Sequence, residues 1–500
     1  LSFLDLGDAT TASNYGGVNR DYTLWSQFGQ FNYNYDGKYL AQVTLRNDAS
    51  SRFQLASRSA VFPAASLGWR VSDEKFMKNV SWIDNLKVRY GWGKTGNQEI
   101  GDYNAYTTYQ SNIVTGGYPI DGSTGTPTIG FATQSFGNPK AKWETTTTNN
   151  FGIDLVMLDN KASVTLDVFS QVTSDMLINV PVTYTAGQAN EPAFNVGQMT
   201  NKGFDLALSY GDTKGDFSYD IGGNISVYKN NVDTLEGEST RIFGQSRRIP
   251  ALSVTEAGSP IASFYGFQNL GIFQTQAEAD AWAPNGDYNA PGKFRVADIN
   301  NDGVINDDDR TIIGTPHPDF TYGINLNMSY KDFALNVFGN GSQGNDVFNY
   351  VRYFADFNTF QGNRSTRALF DAWQPTNPQS APSTWVAANP NANTPIMDAN
   401  DNVSSRPSTY LIEDGSFFRI KNIQLTYNVP SGILNMFGLA NAQVYVQGQN
   451  LVTFTKYSGL NPEVQLGNTG DSNRNLTLGY DGGGQPVAKT FNVGLNITLK

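Results

Sequence analysis

Apolar and polar residues alternate along much of this chain. In its last ten residues, apolar side chains stand at every second position from Phe491 to Leu499, with polar or small residues between them. Successive side chains of a β-strand point to opposite faces, so this segment predicts a strand with one apolar and one polar face. The segments 151–157, 163–168, 204–210, 320–330 and 423–429 show the same pattern.

The alternation assigns individual residues to the two faces. Those expected on the polar face are Thr165, Asp167, Asn325, Asn327, Asn492 and Asn496. Those expected on the apolar face are Val164, Leu166, Leu326, Met328, Val493 and Leu495.

The pattern and the turn residues together predict about fourteen strands. We expect them near 22–35, 38–49, 59–72, 84–95, 144–158, 161–175, 197–211, 216–230, 261–274, 319–330, 332–344, 416–429, 441–454 and 487–499. Tight turns are expected at 36–37, 159–160 and 331–332, whereas the connections 96–143, 231–260, 275–318, 345–415 and 455–486 are long.

So many two-faced strands indicate an all-β, antiparallel transmembrane β-barrel, with lipid against one face and a polar interior against the other. Short turns on one rim and long loops on the other are typical of such barrels, so we expect the loops 96–143, 275–318 and 345–415 on one extracellular side. A soluble sandwich with one buried face per sheet is the alternative that each single strand also fits.

Composition narrows the possibilities further. The chain has no Cys, which excludes disulfides and thiol chemistry, and its net charge of −11 argues against nucleic-acid binding. No apolar run of about twenty residues is present to form a transmembrane helix. The first residues, Leu1 to Asp5, lack the features of a signal peptide, so we expect an internal piece of a longer precursor.

One loop carries a metal-binding pattern. Residues 298–309 match the calcium-loop spacing D-x-[DN]-x-[DN]-G-x-I-x-x-x-D, in which Gly303 makes a sharp turn and Ile305 anchors the loop. The expected oxygen ligands of Ca²⁺ are Asp298, Asn300, Asp302, the Val304 carbonyl, Asn306 and Asp309. Asp309 replaces the longer Glu of an EF-hand, and an Asx-rich turn without metal is the alternative.

Signatures of catalysis are missing from the sequence. His317 is the only histidine and lies between two prolines, which makes it a poor mobile base for a Ser-His-Asp triad. The segment 94–97 lacks the upstream glycines of a phosphate-binding loop. We therefore expect no enzyme activity.

Several segments, in their order along the chain, resemble the C-terminal barrel of SusC/RagA-type TonB-dependent transporters. They are FPAASLGWR at 62–70, YGWGKTGNQ at 90–98, WET at 143–145, NFGID at 150–154, NVG at 195–197, NKG at 201–203, the calcium-like loop running into DRTIIGTPHPDFTY at 309–322, SFFRIKN at 416–422, GQNL at 448–451 and YSGLNP at 457–462.

The resemblance implies the later strands of a barrel of about 22 strands in the outer membrane of Bacteroidota, spanning residues 1–500 without a plug domain. It implies uptake of glycans or peptides under a SusD-like surface lipoprotein, energised by the TonB complex through a plug that this chain does not contain. Outer-membrane lipid would surround the barrel.

The loops supply the candidate ligand contacts. Their aromatic residues are suited to stacking on sugar rings or packing against a lid partner, although packing of loop against loop is the plainer role. The candidates are Tyr103, Tyr106, Tyr109, Trp282, Trp373 and Trp385. Two other functions stay open at this point: a structural subunit of a larger outer-membrane assembly, and a secreted calcium-dependent adhesion protein.

Overall fold

The computed structural model describes residues 21–110, 117–118, 128–180, 189–235, 240–244, 248–282, 289–358, 362–464 and 474–499. Its main element is one antiparallel sheet of 13 strands, in which every strand pairs with its neighbours in chain order. The strands are β1 Leu24–Tyr35, β2 Tyr39–Ser50, β3 Ser59–Arg70, β4 Ile83–Asn97, β5 Glu144–Met157, β6 Ala162–Ser174, β7 Gln198–Lys214, β8 Phe217–Thr234, β9 Phe320–Tyr330, β10 Phe333–Gln343, β11 Phe417–Asn428, β12 Leu439–Thr455 and β13 Thr490–Leu499.

The all-β antiparallel prediction is confirmed, and a single sheet, instead of the two of a sandwich, contains all the long strands described. Within this part of the chain, β1 and β13 form the two edges of the sheet.

The connections divide between the two rims of the sheet. Because adjacent strands are antiparallel, every second connection lies on the same rim. The short-turn rim carries 36–38, 71–82, 158–161, 215–216, 331–332 and 429–438. The long-loop rim carries 51–58, 98–143, 175–197, 235–319, 344–416 and 456–489. The expected separation of tight turns from long loops is therefore confirmed.

Short elements fill the loops. The short strands are Thr108–Gln110, Gly117–Tyr118, Thr128–Ile129, Ala132–Ser135, Leu177–Asn179, Ala193–Asn195, Arg241–Phe243, Ser253–Glu256, Ser263–Gly266, Asn269–Ile272, Phe294–Val296, Thr311–Gly314, Asp346–Asn349, Ile412–Asp414 and Tyr480–Asp481. The α-helices are Gln276–Ala281, Tyr350–Ala355, Thr366–Phe370 and Ser431–Met436, and the 3₁₀ turns are Val71–Asp73, Lys75–Met77, Asp307–Asp309, Pro382–Thr384, Thr409–Leu411 and Arg474–Leu476. None of the helices described has the length and apolar character needed to cross a membrane.

The prediction of a barrel strand at 261–274 is wrong. The structure divides this segment into Ser263–Gly266 and Asn269–Ile272, which belong to two different small sheets. Ala262, Ser263 and Phe264 are at most 1% exposed, because other loops pack over both faces of the segment. A barrel strand here would place the connections before and after it on opposite rims, whereas the structure has one long connection, 235–319.

The two faces of the sheet differ in exposure in the direction opposite to that of a soluble protein. On β13 the apolar Phe491 and Val493 are 74% and 77% exposed, whereas Asn492 between them is half-buried. Exposed apolar side chains at alternate positions of the strands match the lipid-facing surface of a membrane barrel. On the polar face, amides and charged groups bind one another across neighbouring strands.

Candidate functional site

A ladder of amide side chains crosses the polar face over six strands. Each amide donates a hydrogen bond to the side-chain oxygen of the next residue, and the ladder ends on a carboxylate. In order, Asn492 donates to Gln447 at 3.2 Å, Gln447 to Asn422 at 2.8 Å, Asn422 to Asn336 at 2.8 Å, Asn336 to Asn327 at 2.6 Å, and Asn327 to Asp220 at 3.3 Å. A primary amide has two N–H donors, so the ladder leaves further donors available on this wall.

A charged cluster occupies the same face on β4 to β6. The guanidinium of Arg89 contacts both oxygens of Asp167 at 2.6 and 2.7 Å and both oxygens of Asp154 at 3.0 and 3.2 Å. Asn150 donates to Asp167 at 2.8 Å. Bidentate pairing of this kind fixes the position of the side chains as well as neutralising part of their charge.

Three long loops fold together on the long-loop rim. The loops 235–319, 344–416 and 456–489, called the cap below, share one buried apolar cluster. Its members are Ile249, Leu252, Phe264, Phe294, Phe348, Tyr350, Tyr353, Phe357, Leu411 and Tyr480. The largest cluster of buried apolar residues in the described structure therefore lies in the loops and not between the barrel strands.

A buried ionic group holds the cap together. The side chain of Asp356 is 0% exposed and contacts Arg352 at 2.9 Å and Arg367 at 3.3 Å. The hydroxyls of Ser365 and Tyr410 also donate to it. Burial by itself would raise the pKa of Asp356, but these hydrogen bonds and the two arginine charges hold that pKa below its usual 3.8.

Glu413, which binds both Arg352 and Ser458, joins two of the cap loops. Arg352 contacts Glu413 at 3.4 Å, and the backbone and hydroxyl of Ser458 donate to Glu413 at 2.9 and 2.8 Å. Because Glu413 lies in the loop 344–416 and Ser458 in the loop 456–489, this carboxylate bridges the two loops.

The six candidate aromatic residues fall into two groups. Tyr103, Tyr106 and Tyr109 lie in the loop 98–143 and are 50%, 57% and 66% exposed. The three tryptophans lie in the cap, and each donates its indole N–H to a protein oxygen: Trp282 to Val296, Trp373 to Gln274 and Trp385 to Ser380.

Trp373 is not available to a ligand. It is 1% exposed, its ring centroid is 6.3 Å from that of Trp385, and the backbone of Gly292 passes directly over it. A Cβ at Gly292 would lie 2.6 Å from the indole, and the φ of +84° there also favours glycine. The expectation of a ligand contact at Trp373 is therefore wrong, because the residue is part of the cap interior.

The calcium-like loop lies within the cap, between the short strands Phe294–Val296 and Thr311–Gly314. Asp309 is fully buried and accepts from the backbone N–H of Ile299 at 2.8 Å and of Asn306 at 2.9 Å. Gly303 has a φ of +79° and donates to Asp298 at 2.9 Å. Ile305 is buried against Phe267 and Val296, as its anchoring role predicts.

The ligand set of this loop fits a hard cation in its chemistry. All the candidate ligand atoms are oxygens, and Oδ1 of Asp298 is buried without a hydrogen-bond partner. Asn300 and Asp302 are exposed, and their side-chain oxygens accept from Asp302 and Val304 N–H groups at 3.0 and 2.8 Å. Nowhere in the described ranges do three acidic, His or Cys side chains converge at metal-binding spacing.

The family model described as TonB dependent receptor-like, beta-barrel matches residues 3–342. The chain belongs to this family. It is therefore part of an outer-membrane receptor barrel, which removes the alternative of a secreted adhesion protein. The family consists of receptors and transporters, and not of enzymes.

Curated relatives align along almost the entire chain. TonB-dependent receptor P3 of Formosa agariphila is 32% identical over 479 residues, covering 95% of this chain and 45% of the relative. TonB-dependent receptor SusC of Bacteroides thetaiotaomicron is 30% identical over 496 residues, covering 95% of this chain and 44% of the relative.

A solved structure described as the RagAB peptide transporter superposes on the receptor barrel with a TM-score of 0.75 and 26% identity. The match covers 95% of this chain and 48% of that one. The predicted similarity to SusC/RagA-type proteins is thus confirmed. The chain spans less than half the length of the relatives that it matches.

Sequence reasoning missed the contacts within the polar face. The alternation placed Asn327 and Asn492 there, but it did not connect them through Gln447, Asn422 and Asn336. Asn or Gln at alternate positions of several predicted strands is the only sequence signal for the ladder. The Arg89 cluster has no local signal, because Arg89 is 65 residues from Asp154 and 78 residues from Asp167.

Proposed function

We propose that the receptor containing this chain imports glycans or peptides across the outer membrane. The observation that carries the proposal is a continuous polar wall with a folded cap on one rim. A wall of amides, hydroxyls and paired charges suits a polar solute, and a folded cap provides a defined surface at the entrance. The name of SusC and the peptide transporter RagAB support nutrient uptake as the family activity.

The proposed partners follow from this arrangement. A SusD-like lipoprotein would meet the cap on the extracellular side, so the ligand is enclosed between lid and barrel. The TonB complex would supply energy through a plug that lies outside this chain. Strands outside this chain would complete the barrel between β1 and β13, where the sheet has its two edges.

The exposed loop aromatics are the proposed contacts for ligand or lid. Tyr106 and Tyr109 are more than half exposed, and Tyr103 is half exposed. Aromatic side chains are favoured at binding surfaces because one ring supplies a large apolar contact with a polar tip. Trp282 and Trp385 are half-buried, so each presents only part of its ring.

The calcium-like loop is proposed to bind Ca²⁺ for a structural purpose. Asp298, Asn300, Asp302, Asn306, Asp309 and the Val304 carbonyl would hold the ion. Bound Ca²⁺ would neutralise the carboxylates and stiffen this part of the cap. The support is the unpartnered buried Oδ1 of Asp298 together with the turn at Gly303.

Growth of the source bacterium tests the proposed uptake. A strain lacking the complete receptor is expected to lose growth on one oligosaccharide or oligopeptide preparation, while growth on glucose and free amino acids is unchanged. Uptake of the same labelled nutrient is expected to stop when a protonophore removes the energy for TonB. If the strain takes up every oligomer normally but its envelope loses integrity, the receptor is a structural subunit instead.

A further inference from the structure

A recess on the polar face of the strands is a candidate ligand site separate from the loop aromatics and from the calcium-like loop. It has a volume of about 580 Å³ and lies against β4 to β8. Its lining includes Arg89, Asn150, Asp167, Phe169, Asp205 and Tyr228. Phe169 and Tyr228 lie near the middle of their strands, slightly closer to the long-loop rim than to the short-turn rim.

Two aromatic residues border the recess on either side of a glycine. Phe169 on β6 pairs with Gly203 on β7, and Gly203 pairs with Tyr228 on β8. The rings are therefore attached two strand spacings apart, roughly 10 Å. A Cβ at Gly203 would lie 2.1 Å from the Val227 carbonyl, so the position between the rings admits no side chain.

Carboxylates form the next row towards the short-turn rim. Asp167 and Asp205 are directly opposite each other in the register of β6 and β7. Arg89 pairs with both Asp167 and Asp154, whereas the carboxylate of Asp205 makes no ion pair or hydrogen bond within the described residues. Three carboxylates against one guanidinium leave a formal charge of −2 on this group.

Lys87 on β4 stands on the same face directly opposite Asp154 and reduces this formal charge to −1, but no basic side chain is a register partner of Asp205. Lys202 and Lys229 neighbour the recess in sequence and pair with each other across β7 and β8. They stand at alternate positions and so point to the opposite face of the sheet. The carboxylates of Asp167 and Asp205 face each other directly and repel. A cation placed between them would relieve this repulsion.

We propose that this recess binds the positively charged group of a basic peptide. Asp205 would pair with the guanidinium or ammonium group, and the rings of Phe169 and Tyr228 would contact its flat or aliphatic part. A neutral glycan would leave Asp205 without a counter-charge, so the recess favours peptides. The inference rests on the proposed uptake function and specifies its substrate class.

The cap holds one wall of the recess. The hydroxyl of Tyr228 lies 3.4 Å from Nδ1 of His317, and Nε2 of His317 lies 2.9 Å from the Ile261 carbonyl. His317 and Ile261 belong to the cap loop 235–319. The aromatic border of the recess is thus attached to the loop through which a ligand would arrive.

Binding to the complete receptor in detergent tests the site without requiring transport. The probes are the blocked tripeptides Ala-Arg-Ala and Ala-citrulline-Ala, which differ in charge but hardly in shape, and calorimetry measures their affinities. We expect the arginine peptide to bind more tightly by on the order of tenfold, and Asp205→Asn to remove most of that preference. Asp216→Asn, in the short turn between β7 and β8 and outside the recess, is expected to retain it.

The result that overturns the site is equal affinity for the two probes, or an unchanged preference in Asp205→Asn. Phe169→Leu retains an apolar side chain, so it is expected to fold normally. Because it loses the aromatic ring, its affinity for both peptides is expected to fall severalfold. Heat-modifiable migration on gels verifies that each variant is assembled. If the receptor binds the arginine peptide selectively but its deletion has no effect in the growth test, the binding site is supported and the proposed uptake is contradicted. The failure of the site and the failure of the uptake proposal are therefore distinguishable.

Discussion

Asn336 on β10 donates from its Nδ2 to Oδ1 of Asn327 on β9 over 2.6 Å. The Oδ1 of Asn336 in turn accepts from Asn422 on β11 at 2.8 Å, so this amide joins three strands of the polar face. Side-chain hydrogen bonds across strands add to the backbone ladder without introducing charge. The polar wall is thereby fixed in register while it still presents free donors to a solute.

Replacing Asn336 by Ala tests this contribution. The substitution removes two hydrogen bonds from the ladder, and we expect a loss of about 1–3 kcal/mol in the free energy of unfolding, since each bond contributes roughly 0.5–1.5 kcal/mol. Urea unfolding in detergent measures the change. Asn325→Ala on β9 is the matched control, because within the described residues its amide forms no side-chain hydrogen bond. Equal losses in the two variants would contradict a special role of the ladder.

The assignment of faces is tested by arginine substitution. Leu326 pairs with Ile221 and Val337 on the apolar face, and Leu326→Arg is expected to cost about 2–4 kcal/mol if it lies near the bilayer midplane. Asn325→Arg, one residue earlier on the polar face, is expected to be much milder. The measurement is the fraction of folded, heat-modifiable barrel in the outer membrane. Similar impairment in both variants would show that the faces are wrongly assigned.

Removal of metal is expected to loosen the calcium-like loop and to leave the barrel intact. With a chelator, protease is expected to cut within 298–309 faster, because the carboxylates lose their counter-charge. The double variant Asp298→Ala and Asp302→Ala is expected to be cut equally fast, because two ligands of the ion are missing. The barrel strands pair through backbone hydrogen bonds that do not involve this loop. Limited proteolysis with and without added Ca²⁺ gives the answer. Identical cleavage under both conditions would identify an Asx-rich turn.

The cap is expected to depend on Asp356. Asp356→Asn removes a buried charge that faces Arg352 and Arg367, and breaking a buried pair costs about 3–5 kcal/mol. Hydrogen exchange is expected to accelerate in residues 350–370, with the barrel strands unchanged. Asp398→Asn in the same loop is the control, because among the residues that the structure describes its carboxylate accepts from nothing but the backbone N–H of Asn400.

The pH dependence of the cap follows from the same carboxylate. The pKa of Asp356 is lowered in the folded state, so its ionised form contributes stability above the ordinary pKa of 3.8, and that stability is lost as the pH falls through the lower folded value. Protection of residues 350–370 against exchange, relative to the intrinsic exchange rate at each pH, is therefore expected to fall below about pH 4. In Asp356→Asn this acid dependence should be reduced; a wild-type cap that is equally protected at pH 3 and pH 6 would refute the assignment.

The alternation and the turn residues together predicted the thirteen observed barrel strands, with one more that the structure does not have. Period-two patterning is a local property, and a lipid-facing strand must expose apolar groups on one side whatever its neighbours are. The same pattern was misleading at 261–274, where Ala262 to Phe267 are buried on both sides by other loops. Alternation alone does not distinguish a membrane strand from a short strand inside a folded cap.

Only the tertiary structure decided which distant residues meet. The ladder from Asn492 to Asp220 and the pairing of Arg89 with Asp167 depend on strand register, which backbone pairing sets over separations of tens to hundreds of residues. The burial of Trp373 depends on how three loops pack around one apolar cluster, and no periodicity in the loops predicts it. The sequence therefore specified the faces of the wall, whereas folding specified its contacts and its cap.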